Sequence, residues 1–397
     1  MARNAMTAKL PDVTQLIREL VARPSVSSSD PKLDHTNLNV INLLAEWLEA
    51  LGFTIEIQDV SLGKANLLAK LGGDGAVGEG LVLSGHTDTV PYDEGQWSCD
   101  PFGGDQQDGR IYGLGSCDMK AFFALALEAV TAFDAKSFRR PLTFLATADE
   151  ESTMAGAKYL VSHGLKPGRY AIIGEPTSLR PIRMHKGVMM ESIRVHGHAG
   201  HSSDPSLGAN AIEGMYRVLH ELLAWRVELQ AKHRHPLFKI DVPTLNFGSI
   251  HGGDNPNRIC GHCEMLIDIR PLPGMDILEL RQTMDERLTV ALAEFPKLRL
   301  ETRPLFDGLP AFESPADSAM VRACEALSGV DAQAVAFGTE APFFSSLGME
   351  TVVLGAGSIE QAHQPDEYLP IDHIKPMVGI LKGLIGRFCV EENTENI

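Results

Sequence analysis

The chain has 397 residues, and 44% of them are hydrophobic, which is enough to bury the cores of two domains. Its 52 acidic and 35 basic residues give a formal charge of -17, which argues against nucleic acid as a partner and is compatible with a small cationic substrate. No segment has the length of a membrane span, and the amino end lacks the unbroken apolar core of a signal peptide, so neither membrane insertion nor export is expected.

The first predicted elements lead to a pair of polar side chains. Residues 34–51 carry apolar side chains at helical spacing and are followed by Gly52, which predicts an amphipathic helix. The strands predicted next are 53–60, 66–71 and 81–88. At the end of the last strand, His86 and Asp88 lie on one face, which suits a metal-binding imidazole with a carboxylate behind it. A polar strand end with a hydrogen-bonded histidine is the alternative.

Acidic residues follow the next two predicted strands. A short strand and a glycine turn deliver Asp118 to the start of an apolar helix, where it is a candidate metal ligand or a helix N-cap. The apolar strand that begins at Leu142 ends in Asp149, Glu150 and Glu151, three like charges that need either a cation or full exposure to water. On a strand, Glu150 and Glu151 point to opposite sides, so one can bind metal while the other acts as a base.

The same pattern recurs twice more along the chain. A buried strand at 171–175 ends in Glu175, and a last buried strand at 351–357 is followed by a turn that contains His363. Alternating strands and helices predict an α/β fold with a mostly parallel mixed sheet flanked by helices. Because the carboxyl ends of parallel strands meet at one edge of a sheet, we expect these side chains to converge there.

The region between these strands has a different order of elements. Its strands are predicted at 186–197, 244–251, 258–269 and 297–303, and its helices at 208–230 and 276–293. The order β-α-β-β-α-β is typical of a ferredoxin-like α+β domain. We therefore predict a catalytic domain built from residues 1–183 and 301–397, interrupted by an inserted domain at 184–300.

Together, the strand ends supply nitrogen and oxygen donors without a thiolate. The candidate residues are His86, Asp118, Glu150, Glu151, Glu175 and His363. Two divalent metals that share one carboxylate need about two histidines and three acids, with positions left open for water and substrate. Such a donor set favours zinc, with cobalt or manganese as alternatives. A metal lowers the pKa of a bound water, and an unligated carboxylate beside it can take the proton.

Six stretches together resemble the M20 family of dinuclear zinc amidohydrolases and peptidases over nearly the full chain. They are residues 84–91, 113–120, 148–151, 174–177, 200–203 and 361–368. The resemblance implies two Zn2+ ions per subunit, with Co2+ as a substitute, and a homodimer formed through the inserted domain. It also implies hydrolysis of a small N-acyl amino acid, first of all N2-acetyl-L-ornithine in arginine biosynthesis. The alternatives within the family are a deacylase of broad range, a succinyl-diaminopimelate desuccinylase and a dipeptidase.

The resemblance further implies what each site residue does. The ligands would be His86 and Glu175 for one zinc ion, Glu151 and His363 for the other, and Asp118 for both. Asp88 would brace His86, and Glu150 would be the general base that later returns the proton to the leaving amine. His201 would reach the active site of the partner subunit and stabilise the oxyanion, whereas without the resemblance it is read as a histidine in a turn.

Substrate recognition is expected from cationic and amide groups. Asn257, Arg258 and Arg270 on the inserted domain are candidates to bind an α-carboxylate. Glu340 matches a loop that faces the site in the family, so it is the candidate partner of the ornithine ammonium. A surface salt bridge is the alternative for these residues.

The six cysteines suit a reducing cytoplasm, because they are scattered and do not resemble a disulfide framework. Cys260 and Cys263 have the spacing of a disulfide oxidoreductase motif. Such motifs act at the amino end of a helix, whereas this pair lies in a predicted strand, so thiol exchange is the less favoured function. A catalytically silent metal-binding relative is a further alternative, but it would be expected to lack a base such as Glu150.

Overall fold

The structure is a computed structural model, and it describes residues 10–73 and 79–391. The chain divides into two compact units. The first comprises Met1–Arg183, Ser314–Gln333 and Thr339–Ile397, and the second comprises Met184–Glu313 and Ala334–Gly338. The insert predicted from the sequence spans 184–300, and the outer bounds predicted for the catalytic domain, residues 1 and 397, lie outside the described residues.

The helices and strands are numbered in chain order. The α-helices are α1 (Val13–Val21), α2 (Leu38–Ala50), α3 (Ala121–Val130), α4 (Ala155–Ser162), α5 (Ala211–Lys232), α6 (Ile277–Ala291), α7 (Ala319–Ser328), α8 (Ala341–Ser346) and α9 (Ile374–Ile385). The strands are β1 (Thr54–Ser61), β2 (Lys64–Leu71), β3 (Leu81–His86), β4 (Gln106–Gln107), β5 (Arg110–Tyr112), β6 (Leu142–Thr147), β7 (Tyr170–Ile173), β8 (Ile182–His185), β9 (Met189–His196), β10 (Thr244–Gly252), β11 (His262–Arg270), β12 (Arg299–Pro304), β13 (Phe312–Glu313), β14 (Gln333–Val335), β15 (Glu350–Val353) and β16 (Tyr368–Pro370).

The large mixed sheet in the described part of the chain has nine strands, eight of them in the order β1-β2-β6-β3-β7-β15-β8-β13, and β14 pairs with β8. The strands from β6 to β15 are parallel, whereas β1 and β2 join antiparallel at one side. Every residue of β3, β6 and β7 is buried, as expected for parallel strands that are covered on both faces. The predicted α/β class with a mixed sheet flanked by helices is confirmed, and the parallel part of this sheet consists of the four strands β6, β3, β7 and β15.

Helix α3 is the most deeply buried helix segment beside this sheet. All of its residues except Glu128 are buried, because it packs between α1 and α9. The sequence of α3 is therefore almost continuously apolar, whereas a helix with one solvent-exposed face is apolar on one side only. The apolar sequence predicts a helix over residues 121–133, whereas α3 ends at Val130. Helix α2 spans Leu38–Ala50 instead of the predicted 34–51, and the left-handed conformation of Gly52 (φ 89°) follows its end.

A second, three-stranded sheet in the first unit has the order β16-β5-β4. Strands β5 and β16 pair antiparallel, with Tyr112 opposite Tyr368. The chain leaves β5 into the turn that contains Asp118, and it enters β16 from the loop that contains His363. This pairing therefore brings two segments with candidate ligands together, although 245 residues separate Asp118 from His363.

The second unit has the order β9-α5-β10-β11-α6-β12 along the chain, and its antiparallel sheet has the order β10-β11-β9-β12. This is the ferredoxin-like arrangement that the sequence predicts. Strand β11 alternates buried and partly exposed residues, because only one of its faces meets the helices. All six cysteines of the chain are free thiols, and Cys260 and Cys263 are buried at the start of β11 rather than at a helix amino end. Among the described helices, none combines the length and apolar character needed to cross a bilayer.

Candidate metal centre

Three neighbouring parallel strands of the first unit end at the site. His86 is the last residue of β3, Glu175 follows β7 by two residues, and Glu150 and Glu151 follow β6. The last two differ from the prediction, because they lie in a turn rather than on a strand. Strand β6 ends at Thr147, and the left-handed backbone of Asp149 (φ 56°) starts the turn. Their different directions therefore come from the turn and not from the pleat of a strand.

One group of candidate ligands consists of His86, Asp118 and Glu175. One donor atom from each of these side chains lies within 4.8 Å of the donor atoms of the other two. Nε2 of His86 is 3.1 Å from Oδ1 of Asp118 and 3.8 Å from Oε1 of Glu175. All three residues are buried. The group therefore offers one imidazole nitrogen and two carboxylate oxygens to a single small volume.

The second group consists of Asp118, Glu151 and His363, again with donor atoms within 4.8 Å of one another. Nε2 of His363 is 3.0 Å from Oε1 of Glu151 and 3.4 Å from Oδ2 of Asp118. The side chain of His363 is 51% exposed, whereas Glu151 and Asp118 are 6% exposed. Solvent therefore reaches this group on the side of the histidine.

Asp118 belongs to both groups, and its two oxygens face different partners. Oδ1 lies near His86 and Oδ2 lies near His363. Oε1 of Glu175 is buried and has no hydrogen-bond partner among the described residues. An unpaired buried carboxylate oxygen that points at an imidazole is costly without a cation. The donor set therefore fits two divalent metal ions that share Asp118, in agreement with nitrogen and oxygen ligation of zinc or a similar metal.

The electrostatics of the site also favour bound cations. Burial raises the pKa of Glu150, Glu151 and Glu175, and neighbouring carboxylates raise it further. Burial acts against the ionisation of Asp118 as well, but hydrogen bonds with His363 and His86 outweigh it and lower its pKa. Several carboxylates in one buried volume can all remain ionised only if positive charge is placed among them.

Asp88 supports both the histidine and the acidic turn. Its main-chain carbonyl is 3.0 Å from Nδ1 of His86, closer than its carboxylate Oδ1 at 3.7 Å. The two carboxylate oxygens instead accept hydrogen bonds from the backbone N–H groups of Glu150 (3.2 Å) and Glu151 (3.1 Å). Asp88 therefore orients His86 through its backbone and holds the turn after β6 through its side chain.

Asp118 is not the N-cap of α3, which was the alternative reading. The cap position is Lys120, and its side chain makes no capping hydrogen bond. The Lys120 ammonium is fully buried and donates to the carbonyl of Arg23 at 3.0 Å. Burial lowers the pKa of Lys120 to about 7, against the opposite effect of the Glu367 and Asp88 carboxylates.

Glu340 occupies the position before α8 and is fully buried. Its Oε2 accepts a hydrogen bond from the Thr147 hydroxyl at 2.9 Å, and its Oε1 has no partner among the described residues. Burial raises its pKa to about 7, while His86 and Thr147 act in the other direction. Glu340 is thus an interior neighbour of the strand end that carries Glu150 and Glu151.

The remaining predicted residues belong to the second unit. His201 and Arg258 form an isolated β-bridge, and the backbone N–H of Ser202 donates to the carbonyl of Asn257 at 3.1 Å. Arg258 is exposed and forms an ion pair with Asp254. His201, predicted to stabilise the oxyanion, therefore shares one surface of this unit with Asn257 and Arg258, which are predicted to bind the α-carboxylate.

Arg270 does not belong to that surface. It is the last residue of β11, whereas Arg258 precedes the start of this strand. A strand of nine residues spans roughly 27 Å. Arg270 forms an ion pair with Asp268 at 3.0 Å. Within one chain, Arg258 and Arg270 therefore lie near opposite ends of β11.

Glu367 is a buried acid for which the sequence indicated no function. It is 1% exposed, and its carboxylate accepts hydrogen bonds from the backbone of the turn that carries Asp118. Burial raises its pKa to about 8, although hydrogen bonds from that backbone act the other way. The sequence feature that could have identified Glu367 is its position four residues after His363, within a stretch that carries the family resemblance.

Comparison with known proteins decides the family. The model of peptidase family M20/M25/M40 matches residues 82–387. The chain belongs to this family. The resemblance inferred from the sequence is therefore confirmed, and the paired donor groups described above lie within the matched region.

Curated relatives of the chain extend over its whole length. It is 49% identical over 393 residues to an acetylornithine deacetylase from Proteus mirabilis (strain HI4320), which covers 98% of this chain and 100% of the relative. It is 48% identical to an acetylornithine deacetylase from Photorhabdus laumondii subsp. laumondii, again over 98% of this chain and 100% of the relative.

Solved structures of lower identity share the fold of this M20 chain. A tripeptidase from Staphylococcus aureus superposes with a TM-score of 0.73 at 21% identity, covering 97% of this chain and 98% of the other. A protein from Bacillus subtilis described as a dinuclear metal-binding peptidase of the M20 family has a TM-score of 0.66 at 16% identity, with coverage of 94% and 96%.

Proposed function

We propose that the chain hydrolyses the amide bond of N2-acetyl-L-ornithine to give L-ornithine and acetate, a step of arginine biosynthesis in the cytoplasm. The observation that carries the proposal is the 49% identity over 98% of the chain to a relative named acetylornithine deacetylase. The two donor groups around Asp118 support it, because an amide hydrolase of this kind needs metal ligands with open positions and a free carboxylate.

The site residues would hold two Zn2+ ions, for which Co2+ is a substitute. The proposed ligands are His86 and Glu175 for one ion, Glu151 and His363 for the other, and Asp118 for both. When bound, such ions supply Lewis acidity that polarises an amide carbonyl and lowers the pKa of water. The two oxygens of Asp118 face separate groups, which is the arrangement that a shared ligand requires.

Glu150 is the proposed general base. It follows the end of β6 beside Glu151 but belongs to neither donor group, so its carboxylate is free to accept a proton from the attacking water. The same carboxyl can then donate that proton to the leaving amine. The backbone N–H of Glu150 donates a hydrogen bond to Oδ1 of Asp88 at 3.2 Å, which holds the proposed base in position.

Substrate recognition is proposed for residues of both units. His201 would donate to the developing oxyanion from the partner subunit, and Asn257 with Arg258 would bind the α-carboxylate. Arg270 is a separate candidate for that carboxylate. Glu340 is the candidate for the ornithine ammonium, since its Oε1 is buried and lacks a partner among the described residues.

A homodimer formed through the second unit is proposed as well. Helix α5 exposes a stripe of large apolar residues that share one face, with Tyr216 63% and Val227 65% exposed. Strand β10 is an edge of the antiparallel sheet and contains the exposed Ile250. An apolar helix face beside an open strand edge is a surface that a second copy can cover.

The proposed substrate is tested by comparing turnover of three amides by the zinc-loaded protein. They are N2-acetyl-L-ornithine, N-succinyl-diaminopimelate and a dipeptide, which represent the proposed function and the alternatives within the family. We expect kcat/KM to be highest for the first compound. Equal or higher values for either of the others would reject the proposed substrate while leaving metal-dependent amide hydrolysis in place.

A further inference from the structure

The Glu367 carboxylate makes three hydrogen bonds to one turn of the first unit. Oε2 accepts from the backbone N–H of Gly115 at 3.2 Å, and Oε1 accepts from the backbone N–H groups of Cys117 at 2.8 Å and Asp118 at 2.9 Å. The main-chain carbonyl of Glu367 accepts from the N–H of Gly113 at 2.9 Å. We call the segment 113–118 the Asp118 turn. One residue thus holds both ends of this turn.

Glu367 belongs to the loop that carries the other histidine. It follows His363 by four residues and directly precedes β16. The ladder between β5 and β16 ends at the pair Tyr112 and Tyr368. Beyond that pair, Glu367 joins the loop that carries His363 to the backbone of the Asp118 turn, whereas His363 itself meets only the side chain of Asp118, with Nε2 3.4 Å from Oδ2. Its side chain therefore sets where these two segments lie relative to each other.

A carboxylate suits this position for a physical reason. Three backbone N–H groups that point into one concave turn favour the ionised form of the Glu367 carboxyl, against the burial that raises its pKa, and its two oxygens can accept from all three donors at once. Glutamine keeps the shape of glutamate, but its NH2 group would face at least one backbone N–H group. The donors would then be left partly unsatisfied in a buried place.

We propose that Glu367 is a positioning residue of the metal centre, which holds Asp118 and His363 at the separation that the second metal ion requires. The inference rests on the proposed function, since it concerns the same site. It predicts unequal effects on the two ions. Asp118 belongs to both donor groups, but only the second group contains His363 as well. Loss of Glu367 disturbs two partners of the second ion and one of the first.

The test is a titration of the metal-free, full-length protein with Co2+, followed by calorimetry and by the visible absorption of the bound ion. In Glu367→Gln we expect the Co2+ ion that Asp118, Glu151 and His363 would hold to bind about 10- to 100-fold more weakly, with a smaller effect on the other ion. Turnover should return towards the parent value at saturating Co2+, because the residue does not touch the reacting atoms. Glu360→Gln is the matched control, an exposed carboxylate in the neighbouring segment whose loss should change neither equivalent.

A role in stability alone is distinguished by the same measurements. It would lower the melting temperature of Glu367→Gln but leave both Co2+ affinities unchanged at a temperature where the variant is folded, and that outcome would overturn the proposal. Should Glu367→Gln fail to fold, Glu367→Asp keeps the charge and withdraws the oxygens by one methylene, and it carries the same expectation. If the parent binds two Co2+ ions but does not hydrolyse N2-acetyl-L-ornithine, the proposed function fails while this inference stands.

Discussion

Two acids that are neighbours in the sequence have different surroundings at the site. Glu151 lies 3.0 Å from His363 and belongs to the second donor group, whereas Glu150 belongs to neither group. This difference depends on the turn after β6, which starts at the left-handed Asp149 and is held by Asp88. A ligand and a base can therefore be adjacent in the chain without competing for the same ion.

The pair Glu150→Gln and Glu151→Gln tests this division of labour. We expect Glu150→Gln to keep two equivalents of metal and to lose about 100- to 10,000-fold in turnover, because only proton transfer is removed. In Glu151→Gln we expect loss of the second equivalent, as in His363→Ala. Metal content and kcat measured on the same preparations check both expectations. Unchanged metal in Glu151→Gln or His363→Ala would contradict the ligand assignment.

Glu340 gives a prediction about pH. Burial raises its pKa from the ordinary value near 4.5 to about 7 in the folded chain, so folding favours its neutral form. The stability gained from that form is complete below pH 4.5 and is lost as the pH rises to 7, by about 3 kcal/mol in total. Glu340→Gln imitates the neutral form at every pH. The variant should therefore have a higher free energy of unfolding than the parent at pH 8, and the difference between the two proteins should be smaller at pH 5.

Urea unfolding of the metal-free proteins at both pH values measures this difference. Glu360→Gln serves as the exposed control and should show no such dependence. A variant at position 340 that is less stable than the parent at pH 8 would mean that the carboxylate is paired with a cation in solution. That outcome would contradict both the neutral, buried state of Glu340 and its assignment to the ornithine ammonium.

At the scale of elements, the central buried strands were predictable from the sequence, whereas the turns that follow them were not. Strands β3, β6 and β7 are continuous apolar runs and occur where the sequence predicts them, but they end at His86, Thr147 and Ile173, two or more residues before the predicted ends. The turn after β6 instead depends on Asp88, 62 residues earlier in the chain than Glu150. The Asp118 turn depends on Glu367, 249 residues further on. Contacts of such separation leave no periodic signal in the sequence.

The packing of one strand end against another can be tested with alanine. A Cβ atom on Gly355, after β15, would lie 2.2 Å from the carbonyl oxygen of Gly174 and 2.4 Å from that of Glu175. Real Cβ contacts of this length do not occur, so Gly355→Ala must displace the segment that carries Glu175. We expect a loss of about 1–3 kcal/mol in stability and weaker binding of the first metal ion.

Gly379 in α9 is the matched control for that substitution. Apart from the two neighbouring residues and the backbone of the helix itself, no heavy atom lies within 4 Å of a Cβ built there, and the residue is exposed. Gly379→Ala should raise stability by about 0.5–1 kcal/mol, because alanine loses less conformational freedom in a helix. Melting temperatures and metal titrations of both variants test whether Gly355→Ala alone lowers the stability and weakens the binding of the first metal ion. A Gly355→Ala protein that matches Gly379→Ala in both measurements would show that the strand end can move freely.

At the scale of the whole molecule, the proposed functional residues are divided between the two units. The described candidate ligands belong to the first unit, whereas His201, Asn257 and Arg258 belong to the second. The exposed stripe on α5 and the open edge of β10 are the proposed dimer surface. Tyr216→Glu with Val227→Glu should therefore give a monomer by light scattering, and Leu278→Glu on α6, a residue that is also exposed, should leave the dimer intact.

Mixing two inactive variants tests whether His201 acts in the partner subunit. In a hybrid dimer of Glu150→Gln and His201→Ala, one active site would carry both defects, and the other would combine an intact Glu150 with an intact His201. Random exchange of subunits should then restore at most about a quarter of the parent turnover. The control is a mixture of Glu150→Gln with Glu151→Gln. It should restore activity only if Glu150 and Glu151 of one active site come from different subunits. If His201 instead serves the site of its own chain, the mixture of Glu150→Gln and His201→Ala stays as inactive as its two components. The mixture should also stay inactive when either protein carries Tyr216→Glu and Val227→Glu, because these substitutions should prevent the dimer from forming.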